Sequence, residues 1–123
     1  MKFNLKMPVD LKPYYEKEVM DYRKALTRDH QDQVWYHLER AHIIAQAYPW
    51  PHTKVHWKML CQGVREKSFR EIFGQVIRLS LGGPFSFINQ IPKGNIGSTK
   101  VSMTKPQQIP VDIMKMFSEL ENN

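Results

Sequence analysis

Between residues 12 and 82 apolar side chains recur at three- and four-residue intervals, the spacing that gives a helix one buried face. Tyr15, Val19, Tyr22 and Leu26 mark a first helix from about 12 to 28. Asp10 is its expected N-cap, and Pro13 sits in its opening turn, where a missing N–H costs little. A polar connector follows, Asp29-His30-Gln31-Asp32, with Asp32 as the next candidate N-cap. Trp35, Leu38, Ala41, His42 and Ala45 then define a second helix to about 47. Tyr48-Pro49-Trp50-Pro51 breaks the chain, because two prolines in three residues forbid a continuous helix. A third helix after Pro51 carries Val55, Met59 and Gly63. The fourth opens on Ser68 and Glu71 at capping-box spacing. Phe69, Ile72, Phe73, Val76, Ile77 and Leu81 predict its buried face, and Gly82-Gly83-Pro84 is its expected stop.

The pattern repeats faintly. Trp35 and Phe69 stand 34 residues apart, and Leu38 with Ile72 and Ile43 with Ile77 share the frame. That is the period of tetratricopeptide hairpins, although the Gly and Ala consensus positions are missing. The expected fold is all-α: two stacked helical hairpins, tetratricopeptide-like or a four-helix bundle, with an irregular C-terminal arm and a short last helix. In residues this gives an extended lead-in over 1–9, hairpins over 10–82, the arm over 83–110 and a C-terminal helix over 111–121. The arm is dense in Gly and Pro, and no acid occurs between Ile72 and Val111. Within it, Lys93-Gly94-Asn95-Ile96-Gly97 is a turn cluster whose backbone N–H groups can cradle an anion. The plainer reading is a turn in which glycine supplies positive φ. Ile113, Met116, Phe117 and Leu120 form the docking face of the last helix.

With 123 residues and 41% hydrophobic content, one domain with one core is expected. No apolar run approaches the roughly 20 residues of a membrane span, and the N-terminus lacks the apolar segment of a signal peptide. The net charge of +6 is dispersed, as in Glu16-Lys17-Glu18 and Arg65-Glu66-Lys67. Solvated helix faces explain that pattern, and with no phosphate loop or zinc-finger spacing it argues against nucleic acid. A single cysteine, Cys61, forms no internal disulfide, which points to a reducing cytoplasm. Its neighbours Met59, Leu60 and Val64 predict a buried, inert thiol.

Chemistry concentrates in residues 35–60, which hold His37, His42, His52 and His56. His52 and His56 are i and i+4, one turn apart on one face, the spacing by which a helix offers two imidazoles to one ion. Antiparallel pairing across the proline turn brings His42 level with His56, so three imidazoles converge. Glu39, three residues before His42, is the fourth candidate, as ligand or as an acceptor of an imidazole N–H that fixes the tautomer. His37 faces elsewhere and is excluded. Imidazole donors suit Zn, Ni, Cu or Fe. The competing reading is structural: the histidines pack in the core, and the hairpins offer a groove to a protein partner. No nucleophile has a His–carboxylate pair, so an enzyme is not expected.

The block His37-Leu38-Glu39-Arg40-Ala41-His42, then Pro51-His52-Thr53-x-Val55-His56-Trp57-x-Met59-Leu60, then Pro92-x-Gly94-Asn95-x-Gly97, resembles a family of small bacterial proteins of unknown function. The likeness runs from about residue 12 over most of the chain. It implies an association with heavy-metal resistance and cation efflux, and carries no ligand set or activity.

Overall fold

The computed structural model describes residues 6–86, 94–103 and 105–121, except for the side chains of 81–86. These residues form five helices and no strand: α1 (Lys12–Thr27), α2 (Gln31–Ala45), α3 (Pro49–Arg65), α4 (Phe69–Ser86) and α5 (Val111–Glu121). α1 packs on α2 and α3 on α4, and α2 joins the two hairpins through α3. The all-α hairpin architecture expected from the periodicity is therefore present.

Both hairpins close in the same way. His30 N–H donates to the Ala25 carbonyl and Asp29 N–H to Leu26; Ser68 N–H donates to Gly63 and Lys67 N–H to Val64. This is the Schellman pattern, and Asp29 and Lys67 take its left-handed position with φ of 56° and 55°. The turn between α2 and α3 works differently. Pro49 and Pro51 occupy the first turn of α3, and the first N–H there to find a helical partner is that of His52, bonded to the Tyr48 carbonyl at 3.0 Å. The prolines thus stand where an N–H would go unpaired in any helix, and α3 starts at Pro49 rather than after Pro51.

Other helix ends differ from expectation. Leu11, not Asp10, precedes α1, and His30, not Asp32, precedes α2; neither start carries a side-chain cap. Ser68 Oγ does accept from Glu71 N–H at 3.3 Å, but the Glu71 carboxylate leaves the box to bind Thr99. α4 continues through Gly82-Gly83-Pro84 to Ser86; a proline forfeits one backbone bond of many, which a helix of 18 residues tolerates near its end.

α2 is the central element. One side enters a core of Tyr22, Ala25, Val34, Trp35, Leu38, Val55 and Met59. The other packs Ile43 and Ile44 on Leu11 and Ile113, with Met116, Phe117 and Leu120 of α5 closing over them. The docking face predicted for α5 is the one it uses. Arg40 of α2 binds Glu18 of α1 at 2.8 Å and also Asp112 of α5, and His37 meets the same Glu18 at 2.8 Å, so one buried carboxylate gathers both.

The face of α4 is the main correction. Phe69, Phe73, Val76 and Ile77 are exposed, whereas Glu71, Gln75 and Arg78 are buried. The buried trio follows Leu38, His42 and Ala45 of α2 in a frame one residue shorter than the 34-residue period, so Phe69 is not the counterpart of the buried Trp35. The inward side of α4 faces the arm, whose irregular backbone has no ladder of its own and needs side-chain partners. Arg70 donates to the Thr99 carbonyl, Gln75 to Gly97 and Arg78 to Val101. Cys61 is half-buried, not enclosed, because Val64 beside it points to solvent.

Candidate metal centre

His42 lies in the buried run that closes α2, and His52 and His56 lie in the first half of α3. The three-residue turn between the helices brings them into one cluster. Their Nε2 atoms form a triangle: His42 to His56 is 3.1 Å, His42 to His52 is 2.9 Å and His52 to His56 is 3.0 Å. All three rings are buried, with centroids 4.7 Å apart in each pair and inclined by 60° to 75°. Each offers one ligand atom within 4.8 Å of the others.

The opposite edges of two rings are fixed. His42 Nδ1 lies 2.7 Å from the Asn95 carbonyl, which only accepts, so Nδ1 carries the proton. His56 Nδ1 lies 2.7 Å from Gln75 Oε1. Gln75 is oriented by its amide nitrogen, which donates to the Gly97 carbonyl at 2.9 Å and to Glu71 at 2.8 Å. Both histidines therefore turn an unprotonated Nε2 into the triangle. Burial opposes protonation there. Desolvation with the neighbouring imidazole lowers His52 to about 3, and desolvation, partly offset by the Gln75 bond, lowers His56 to about 4. His42 is pushed well below its ordinary value by desolvation and the other two rings. At neutral pH the cluster is three uncharged imidazoles whose Nε2 atoms face one another, two of them bare, the arrangement a metal cation stabilises.

Glu39 is not part of this group. Its carboxylate accepts from Ser98 Oγ at 3.2 Å and from Lys100 Nζ at 2.9 Å, so it fastens the arm and orients no imidazole. Side chains on α2 lean toward its N-terminus, which carries Glu39 away from the turn where the histidines meet. His37 is spent on Glu18.

The supporting residues were not anticipated. Gln75 belongs to a polar stripe, Glu71, Gln75 and Arg78, whose helical spacing reads as a solvent face until the arm covers it. Asn95 is 2% exposed and fully used: Nδ2 donates to the Ser102 and Lys105 carbonyls, and Oδ1 accepts from Gly97 N–H. Gly94 and Gly97 have φ of 78° and 83°, as the turn reading requires. Of the backbone donors in that cluster, the Ile96 and Gly97 N–H groups are taken by Gln107 and Asn95 side chains rather than offered to an anion; Lys93 lies outside the described residues. No helix among the described residues is long and apolar enough to cross a membrane.

Residues 9–117 match the family described as protein of unknown function (DUF3703). No curated protein and no solved structure matches the chain.

Proposed function

We propose that this chain, which belongs to that family of unknown function, binds a divalent transition-metal ion on His42, His52 and His56. One observation carries the reading: three buried Nε2 atoms within 3.1 Å of one another, two of them deprotonated because their Nδ1–H groups are engaged. A four-coordinate ion at roughly 2.0–2.1 Å from each nitrogen separates its ligands by about 3.3 Å, so the triangle needs to widen by only a few tenths of an ångström. The donor set suits Zn, Ni, Cu and Fe alike. The role that fits is an accessory in metal homeostasis or resistance, in a cytoplasm that keeps Cys61 a thiol. No catalytic step is assigned.

Elemental analysis of untagged protein is the test. About one ion per chain is expected in wild type and none in His52→Ala/His56→Ala. Adding metal at 1,000-fold excess over Kd should raise wild-type stability by about 4 kcal/mol. Metal-free wild type with no thermal shift on adding Zn, Ni, Cu or Fe would sink the reading.

A second reading, a helical-repeat-like interaction module with structural histidines, is favoured by the exposed Phe69, Phe73, Val76 and Ile77 on α4. It predicts a partner lost on Phe69→Ser/Phe73→Ser at unchanged fold. It fails if captured proteins are the same with and without those substitutions.

A further inference from the structure

The donors of the centre bring no charge. Three imidazoles, neutral donors by their chemistry, face the ion, and no carboxylate or thiolate joins them among the described residues. The stretches outside those residues contain no His, Cys, Asp or Glu that could supply one. The nearby carboxylates have other tasks: Glu39 holds Ser98 and Lys100, and Glu71 accepts from Gln75 and Thr99. The same face of α4 also carries a buried cation. Arg78 is 8% exposed and lies one turn beyond Gln75, which holds His56, on the same buried face of α4. Two of its nitrogens donate to the Gly74 and Val101 carbonyls, while its buried Nε–H has no partner. A divalent ion here would stand as an uncompensated double charge in the protein interior, which is strongly unfavourable.

We propose that the centre takes its metal together with a small inorganic anion, bound to the ion at a coordination position beyond the three histidines and paired with Arg78. The inference rests on the metal reading above. Charge is balanced by what enters with the ion, and the unpaired Arg78 Nε–H is the donor that would receive it.

Cobalt(II) loaded on the full chain tests this, with its visible d–d bands followed during titration with sodium azide and, separately, sodium thiocyanate. The expected result is a saturable change at one anion per metal. Arg78→Gln should weaken the apparent anion affinity about ten-fold, the loss of one charge-assisted bond, at unchanged cobalt content. Arg78→Lys, which keeps the charge, should fall between. Bands indifferent to both anions in a chain holding one cobalt overturn the proposal and leave the metal reading intact. Anion affinity equal in wild type, Arg78→Lys and Arg78→Gln overturns the part given to Arg78. Cobalt that does not bind removes the metal reading and this inference together. Should Arg78→Gln fail to fold, the wild-type titration and Arg78→Lys still decide.

Discussion

Gln75 commits its whole amide to four neighbours: Oε1 accepts from His56, and Nε2 reaches Gly97, Glu71 and the Met59 thioether. Gln75→Leu keeps the volume and removes these bonds. Loss of such an outer partner costs a metal site about 10- to 100-fold in affinity, which competition with a chromophoric chelator would measure. Unchanged affinity would mean that the His56 tautomer is fixed by something else. Gly97 is the second sensitive position. A Cβ there would lie 2.5 Å from His42 Cδ2, and φ of 83° strains any side chain. Gly97→Ala is expected to cost about 1–3 kcal/mol in urea unfolding and to weaken metal binding through the displaced imidazole. The three histidines were legible because one pair has helical spacing and a proline turn returns the third. Their protonation was not, because Asn95 and Gln75 reach them from 53 and 19 residues away.

At the level of elements, α4 shows where periodicity misleads. Its apolar stripe is real, yet its polar stripe is the buried one, because the arm's carbonyl groups demand donors that apolar side chains lack. Phe73, 68% exposed, should tolerate serine within about 0.5 kcal/mol. Met59, fully buried in the core beside Val55 and Leu38, should lose about 2–5 kcal/mol as alanine. Denaturant midpoints of the two variants give the comparison; a larger loss for Phe73→Ser would contradict the placement of α4. The helices themselves were readable, since turns and prolines act locally. Caps were less so: Asp10 and Asp32 have the right chemistry, but the helices begin one or two residues away from where they could use it.

For the whole molecule, the buried histidines link stability to pH. In the unfolded chain each titrates near 6.5; in the native state His52 lies at about 3, His56 at about 4 and His42 well below its ordinary value. The native values are depressed, so below about pH 6.5 the unfolded chain binds more protons. Stability present above that pH is then lost as pH falls toward 4, by up to about 1.4 kcal/mol per unit for each histidine. Metal-free protein unfolded in urea at successive pH values should show this steep decline, and a flat midpoint between pH 6.5 and 4.5 would rule the burial out. Bound metal should move the decline to lower pH, because it competes with protons for the same nitrogens.

Local spacing alone determined that this chain is helical, where its hairpins turn, which face α5 docks, and which three histidines share a level. Those properties depend on residues within a few turns of one another. Only the tertiary structure decided that Glu39 serves the arm, that α4 buries its polar side, and that Asn95, Gly97 and Gln75 enclose the centre. The reason is that an irregular segment brings unpaired backbone groups wherever it lands, and the helix beneath must answer them with polar side chains.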